Sequence, residues 1–268
     1  MKSATYIPKT IFRQAALIAW AAGYGAVTPE ALGEREGVSA VQAGERLDQA
    51  VQYGLLKRES VLVGYAALYT VTSKGRGLAR RHARGGEYVY PKGLRTPVVS
   101  IKEARHMIAC AGVRAALEGR YPDHRVIGEL ELCRDEREQG RRLASVEVRG
   151  TGRRRSHVPD LVIWPPVATP DTPTTPAPPT TPEPPATPPV PVAVEVELTR
   201  KAKAELIANI RAWARCRYVE AVVYFAEGRE IEEKLLDAIE ECRAEERIVV
   251  NPLREILSPQ PGFPLIDE

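Results

Sequence analysis

Hydrophobic residues in the first third of the chain recur at the spacing of helix faces, and three helices are predicted there. The inward positions of the first and third helices are Phe12, Ala15, Ala16, Ile18, Trp20, Ala43, Leu47, Ala50 and Val51. The first helix should end at Gly23 and Gly25, because glycine interrupts the pattern. Thr28, followed by Pro29, is the predicted cap of the second helix, and Ser39 is the predicted cap of the third.

Residues 55–72 predict a small β-sheet after these helices. Three short stretches, at residues 55–58, 62–65 and 68–72, are rich in Leu, Val, Tyr and Thr and are separated by turn signals. A helix-turn-helix unit followed by a β-wing is the order typical of winged-helix domains. The sequence therefore predicts that residues 1–95 form a winged-helix DNA-binding domain, whose third helix would enter the major groove.

Polar and basic side chains would face the nucleic acid in such a domain. The third helix would turn Gln42, Arg46 and Gln49 outward, where they can contact base edges or phosphates. Glu45 and Asp48 lie beside them and oppose that contact. Further candidates for phosphate contacts are Lys57, Arg58, Lys74, Arg76, Arg80, Arg81 and Arg84. Protein docking and a purely structural role are the alternatives for this domain.

Charge is distributed unevenly along the chain, although the net charge is only +3. Residues 1–95 hold 14 Lys and Arg against 7 Asp and Glu, whereas the remainder holds 24 against 28. A basic front part favours an anionic partner, and double-stranded DNA is the first candidate. A solvated basic surface without a partner is the alternative.

The cysteines and the N-terminus bear on the cellular compartment. Cys110, Cys133, Cys216 and Cys242 have no C-x-x-C spacing, which argues against a zinc site and against a disulfide framework. They are most simply reduced thiols of a cytoplasmic protein. The first residues lack the apolar region of a signal peptide, and no apolar run is long enough to span a membrane, so no membrane association is expected.

Residues 96–268 predict a second, mixed α/β domain. Ser100 and Glu103 form a predicted capping box for a helix that ends near Leu117. That helix would turn Ala104, Ile108, Ala111 and Ala115 inward. The further elements expected are two strands forming a hairpin at 126–132 and 143–148, a helix at 202–215, a strand at 219–225, a helix at 230–242 and a strand at 248–250. Residues 85–99 would connect this domain to the first.

A Pro- and Thr-rich insert divides the second domain. Residues 165–191 hold 13 prolines and 7 threonines in 27 residues, a composition that cannot build a core. The insert is predicted to be a disordered, extended and solvated loop. Its flanks, residues 157–164 and 192–201, both read as buried strands of one sheet, so the insert is expected at a hairpin tip. A linker between two domains is the alternative.

The two flanking strands carry carboxylates. Asp160 opens the first, and Glu195 and Glu197 alternate on one face of the second. Three acids would converge if these strands pair, and hard cations such as Mg²⁺ or Mn²⁺ take oxygen ligands of this kind for phosphodiester cleavage. The alternative is structural, because alternating Val and Glu is also typical of any half-exposed strand.

Pro159-Asp160 and Glu195-Val196-Glu197, on successive strands of an αβββαβ order, resemble the PD-(D/E)XK nuclease superfamily. The resemblance implies a nuclease-like domain with a divalent ion on Asp160 and Glu195, completed by Glu129 or by Glu103. Glu197 stands where the superfamily normally has Lys. Lys201, just past the strand, could supply the missing positive charge. The implied catalytic residues are Asp160, Glu195, Glu197 and Lys201.

A narrower resemblance depends on the order of short motifs after the helix-turn-helix unit. They are Arg105-His106, residues 128–132, His157-Val158-Pro159-Asp160 and residues 195–201. This order is similar to the replication-relaxation family of actinobacterial plasmids and mobile elements. The resemblance implies a role in plasmid or mobile-element DNA biology, with replication or mobilisation proteins as further candidate partners.

Two functions are therefore expected. The first is a DNA-binding, Mg²⁺-dependent endonuclease or nicking protein that acts in replication or mobilisation. The alternative is a non-catalytic winged-helix regulator whose nuclease-like domain is a degenerate scaffold.

Arg153, Arg154 and Arg155 would bind the DNA backbone beside the acids, or form a solvated turn. His157 could contact a phosphate or a metal-bound water, whereas a mid-helix His106 is expected in the core.

Overall fold

Helices and strands alternate in the computed structural model of this chain, which describes residues 9–59, 67–82, 99–149, 154–166 and 190–257. The fold is mixed α/β. The helices are α1 Lys9–Tyr24, α2 Pro29–Glu36, α3 Ala40–Gln52, α4 Ser73–His82, α5 Ile101–Arg120, α6 Glu129–Gln139, α7 Lys203–Ala214, α8 Arg229–Cys242 and α9 Leu253–Ile256. The strands are β1 Ala26–Val27, β2 Leu56–Glu59, β3 Leu68–Val71, β4 Arg125–Gly128, β5 Val146–Arg149, β6 Arg154–His157, β7 Leu161–Trp164, β8 Val192–Glu197, β9 Val222–Ala226 and β10 Ile248–Pro252.

The first three helices begin and end where the sequence predicts. The Thr28 side chain accepts a hydrogen bond from the Ala31 amide at 3.1 Å, and Ser39 forms a capping box with Gln42. Gly37 ends α2 with a φ of 65°, in the left-handed region that glycine adopts without strain. The predicted inward positions of α3 are buried except Val51, which is half-buried, and Ala16 of α1 is exposed rather than inward.

Two elements of the N-terminal part differ from the sequence-based prediction. β1 pairs antiparallel with β3, which also pairs with β2, so a three-stranded sheet has the order β1-β3-β2. α4 follows β3 directly, and its basic residues Lys74, Arg76, Arg80 and Arg81 therefore lie on a helix. The predicted strand at 62–65, most of the connection at 85–99 and the side chain of Phe12 lie outside the described residues.

A five-stranded sheet forms the centre of the C-terminal part, in the order β10-β9-β8-β7-β4. β8, β9 and β10 are parallel, whereas β7 is antiparallel to both of its neighbours. Leu161 pairs with Val194, so the prediction that the two acid-bearing segments are adjacent strands is confirmed. α7 and α8 cover one face of the sheet and α5 and α9 cover the other, with a hydrophobic core on each side.

The prediction of a hairpin from residues 126–132 and 143–148 is wrong. The strand β4 ends at Gly128, and Glu129 begins α6, because the Glu131 side chain accepts a hydrogen bond from the Gly128 amide and starts the helix. β5 pairs with β6 instead, in a separate two-stranded sheet. That sheet holds His157, so residues 157–164 are not one strand: the chain breaks around Pro159, which has no amide hydrogen to donate.

Helix α5 packs against both parts of the chain. Ala111 and Ala115 on this helix form a small buried cluster with Ala31 of α2, and alanines let two helix backbones approach closely. Arg114, only 5% exposed, forms ion pairs with Glu118 at 3.2 Å and Glu131 at 2.9 Å. Its guanidinium also lies 3.9 Å from the centre of the Tyr24 ring on α1. The helix that opens the predicted second domain is therefore also a packing surface for the first.

Close packing of α4 against the segment before β2 gives a matched test of this fold. A Cβ at Gly75 would lie 2.2 Å from the Leu55 carbonyl oxygen, whereas one at Gly77 would meet only the Arg81 side chain at 3.6 Å. We expect Gly75→Ala to lower the free energy of unfolding by about 1–3 kcal/mol through overpacking. Gly77→Ala should be neutral or stabilising by up to about 1 kcal/mol, because alanine favours helix. Urea unfolding of both variants checks this, and equal stabilities would contradict the packing.

Candidate functional site

The Asp160 carboxylate joins two elements at the entrance to β7. One oxygen, Oδ2, accepts a hydrogen bond of 2.7 Å from the Val196 amide in β8. The other, Oδ1, lies 2.9 Å from Nε2 of His106 on α5. The Asp160 main-chain carbonyl accepts the Glu129 amide at 3.0 Å, where α6 begins. Asp160 is therefore fixed at the point where β7, β8, α5 and α6 meet.

Glu195 and Glu197 lie on one face of β8, as predicted, and both are buried at about 5% exposure. An oxygen of Glu195 lies 2.7 Å from Nε2 of His157, which ends β6 and stacks edge-on to the Trp213 ring. Glu197 forms an ion pair with the ammonium group of Lys201, which lies just past the strand. Each buried acid of this strand thus has one basic partner.

Electrostatics connects these side chains into one cluster. Burial raises the pKa of Glu195, the His157 hydrogen bond opposes the rise, and the charge of Asp160 adds to it. Burial alone would lower the pKa of Lys201, but the charges of Glu197, Glu195 and Asp160 outweigh it and raise that pKa. The three predicted acids therefore act on the same ammonium group.

His106 occupies a position that differs from the expected one, and Cys110 lies beside it. His106 is not a core residue: its side chain is 40% exposed and contacts Asp160. Cys110 follows it by one helical turn on α5, and its Sγ lies 3.3 Å from the same His106 Nε2. The sequence contained a signal for this His–Cys pair, because residues four apart on a predicted helix face the same side.

Metal-capable side chains come together in a different set from the predicted one. Within the described ranges, one group of three such residues has ligand atoms all within 4.8 Å of one another, and it is His106, Cys110 and Asp160. The predicted set of Asp160, Glu195 and Glu129 does not form such a group among the described residues. The lack of C-x-x-C spacing argued against a zinc site, and the present arrangement does not involve that spacing.

A cleft of about 300 Å³ opens beside this group of three. Its walls include His106, Cys110 and Asp160 together with Glu103 and Glu129. Glu129 is exposed at the first position of α6, and desolvation within the cleft, followed by the charge of Asp160, raises its pKa. The predicted metal ligand Glu129 therefore lies in the cleft, but Glu195 is buried on the other side of the sheet.

A larger cleft, of about 930 Å³, lies where β8, β9 and β10 end. The residues that line it include those immediately after Glu197 and those in the first turn of α8. Four arginines line it, namely Arg105, Arg200, Arg229 and Arg254. Several carboxylates share the cleft, and Arg105 pairs with Glu227 at 2.5 Å. Basic groups thus flank the acid cluster at this end of the sheet.

Side chains predicted to contact DNA from α3 hold intramolecular partners. Gln42 belongs to the capping box with Ser39, and the Gln49 side chain accepts a hydrogen bond from Gln14 at 3.2 Å. Arg46 forms an ion pair with Glu36. Gln42 and Gln49 remain exposed, and Arg46 is half-buried.

Besides those on α4, the predicted contact residues outside α3 lie on β2 and β6. Lys57 and Arg58 project from β2 with side chains 67% and 55% exposed, and they pair with Glu59 and Asp48. Arg154 and Arg155 lie exposed on β6, where Arg155 binds the side chains of Glu205 and Asn209. Arg153 lies outside the described residues.

Comparison of the chain with models of protein families, with curated proteins and with solved structures finds no match. None of the helices in the described part of the chain combines the length and apolar character of a membrane span.

The His157–Glu195 pair predicts a pH dependence of stability. Burial alone would lower the pKa of His157, but the hydrogen bond and charge of Glu195 raise it above the ordinary 6.5. A raised pKa in the folded state stabilises the protein below pH 6.5, and that contribution is lost as pH rises through the raised value. The raised pKa of Glu195 changes the stability in the same direction, because it too makes the folded state less stable as pH rises. We expect the melting temperature to fall as pH rises above about 6.5.

Thermal unfolding across this pH range, in buffer with a chelator, checks the expectation. His157→Gln should reduce the slope of melting temperature against pH. His124→Gln should leave that slope unchanged, because His124 lies away from the acid cluster and contacts the Tyr121 ring. Parallel pH profiles for the wild type and His157→Gln would contradict this account of the pair.

Proposed function

We propose that this chain is a DNA-binding protein of the replication-relaxation type, in which a winged-helix part holds duplex DNA and a PD-(D/E)XK-like part cleaves or nicks it with Mg²⁺ or Mn²⁺. Its role would lie in the replication or mobilisation of plasmid or mobile-element DNA. One observation carries the proposal: pairing of β7 with β8 sets the Asp160 carboxylate on the Val196 amide, between Glu195 and Glu197.

The topology around these residues supports the nuclease-like part of the proposal. In chain order, α5, β4, β7, β8, α7 and β9 give a helix, three antiparallel neighbours, a crossover helix and a parallel strand. This is the αβββαβ order to which the Pro159-Asp160 and Glu195-Val196-Glu197 motifs belong. α6, β5 and β6 are inserted between the first two strands of that core.

The donor set at this point fits a hard cation in part. Asp160 and Glu195 would supply carboxylate oxygens, and burial raises the pKa of Glu195 although the His157 hydrogen bond opposes the rise. A bound Mg²⁺ would polarise a phosphate and lower the pKa of a bound water. Lys201, held on Glu197, would place its positive charge beside the phosphate, where the superfamily normally has a lysine in the position of Glu197.

Several features of the N-terminal part support the proposed winged helix. Its sheet order β1-β3-β2 stands against α1, α2 and α3, and the β2–β3 pair extends to residues Glu59 and Leu68 as a wing would. Asp48, whose charge opposed DNA contact in the sequence, accepts the Tyr69 hydroxyl at 2.8 Å and also pairs with Arg58. Part of that unfavourable charge is thereby compensated within the domain.

A second function, non-catalytic DNA-binding regulation, is favoured by a different observation. The acids of the cluster have internal partners: Asp160 binds Val196 and His106, Glu195 binds His157, and Glu197 binds Lys201. A network of this kind is stable without an ion. In that case the nuclease-like part would be a scaffold and the winged helix would carry the function.

A plasmid-nicking assay separates the two functions. The wild type should convert supercoiled plasmid to the open-circular or linear form in Mg²⁺ or Mn²⁺. Asp160→Asn should abolish the reaction, and Lys201→Met should slow it by about a hundredfold, the cost typical of losing one electrostatic stabiliser. Lys203→Met is the matched control, because Lys203 is exposed and pairs with Glu241. If the wild type leaves the plasmid intact in both metals, the regulator is the correct function.

DNA binding is a separate prediction about the N-terminal part. The full chain should bind duplex DNA with an affinity that falls steeply with salt, because phosphate contacts release counterions. The double variant Lys57→Ala, Arg58→Ala should weaken binding and reduce the log–log salt slope by about one for each phosphate that is no longer neutralised. Lys234→Ala on α8, whose ammonium group pairs with Glu230, is the control. Fluorescence anisotropy at several salt concentrations measures the affinity and the salt slope. No binding at low salt would rule out the DNA partner.

A further inference from the structure

One turn of α5 presents an imidazole and a thiol to the same carboxylate. His106 Nε2 lies 2.9 Å from Asp160 Oδ1 and 3.3 Å from Cys110 Sγ. All three ligand atoms lie within 4.8 Å of one another, and all three residues line the cleft of about 300 Å³. Three different donor atoms therefore lie close together at the wall of a cleft.

Hydrogen bonding gives this arrangement no more than one strong bond at Nε2 of His106. Nε2 of His106 carries either one proton or one lone pair, yet two groups lie against it. A proton on Nε2 serves Asp160 and leaves the Cys110 thiol without an acceptor there, whereas a lone pair on Nε2 serves the thiol and faces the carboxylate unfavourably. A cation in place of the shared proton would attract the nitrogen, the sulfur and the oxygen together.

The donor set selects the class of metal. Mg²⁺ and Ca²⁺ take oxygen ligands, whereas a thiolate with an imidazole is typical of Zn²⁺ and its neighbours in the transition series. With Zn–N near 2.0 Å and Zn–S near 2.3 Å, tetrahedral geometry separates N from S by about 3.5 Å and N from O by about 3.3 Å. The present separations are 3.3 and 2.9 Å, so these two would have to widen by only a few tenths of an ångström.

We propose that His106, Cys110 and Asp160 form a binding site for a zinc-class divalent ion, with an open coordination position toward the cleft. Three protein ligands and one free position are typical of zinc sites that bind water or substrate. Glu129 and Glu103 line the same cleft. On binding, the thiol loses its proton to solvent as the metal–sulfur bond forms.

This site differs from the proposed magnesium site in its donors, although the two share Asp160. The magnesium site would use Glu195, on the sheet face that α7 covers, whereas the zinc-class site uses α5 on the opposite face. Its existence does not depend on DNA binding or cleavage. Metal binding without nucleic acid therefore tests it independently of the proposed function.

Cobalt titration of the full chain is the test. The protein is freed of metal with a chelator and titrated with Co²⁺, which should give one equivalent of binding and a thiolate-to-cobalt charge-transfer band in the near ultraviolet. Added Zn²⁺ should displace the Co²⁺ and bleach the band. Cys110→Ser should abolish the band, and His106→Gln should weaken Co²⁺ binding at least about tenfold, since losing even an outer partner of a metal ligand costs that much.

Cys242→Ser is the matched control, because Cys242 is a free cysteine on α8. The charge-transfer band of this variant should equal that of the wild type. Lys201→Met should also keep the band, even if it loses plasmid nicking. The proposal is overturned if the wild type shows no charge-transfer band, or if Cys242→Ser loses it and Cys110→Ser does not. If Cys110→Ser fails to fold, X-ray absorption of the cobalt-loaded wild type decides, with one sulfur in the coordination shell expected and an all-oxygen shell contradicting the site.

Discussion

Everything at the candidate site depends on the two hydrogen bonds that the Asp160 carboxylate makes in opposite directions. One fixes it to the main chain of β8 and the other fixes it to a side chain of α5. Hydrogen bonds to a charged acceptor are roughly twice as strong as neutral ones, so this residue, together with the apolar core beneath α5, fixes the helix relative to the sheet. The cleft, the acids of β8 and the His–Cys pair are all arranged around that single side chain.

Charge balance explains why acids are tolerated at such low exposure. A buried carboxylate without a partner is strongly destabilising, and here each one lies against a basic group or a main-chain amide. Glu195 has His157 and Glu197 has Lys201. The partners come from β6 and from the segment after β8, so the two-stranded β5–β6 sheet is part of the site's chemistry.

The sequence predicted the elements whose signals are local, and it failed where the tertiary structure decides. Caps at Ser39 and Ser100 located two helices, and the apolar strands beside the insert were correctly paired. Residues 129–132 alternate like a strand, but the Glu131 side chain bonds the Gly128 amide and begins a helix. β1 has two residues and no periodicity to detect. The His106–Asp160 contact joins residues far apart in the chain, and only the packing of α5 on the sheet brings them together.

The packing of α5 against both parts of the chain has a geometric consequence. Arg114 and the alanines of this helix hold α1 and α2 directly against the helix that carries His106. A bound duplex on the N-terminal part would therefore stand at a set distance and orientation from Asp160, determined by a rigid helix and not by the reach of a flexible tether. Under the proposed function, any reaction at Asp160 would therefore fall at a fixed number of base pairs from the site that the N-terminal part binds.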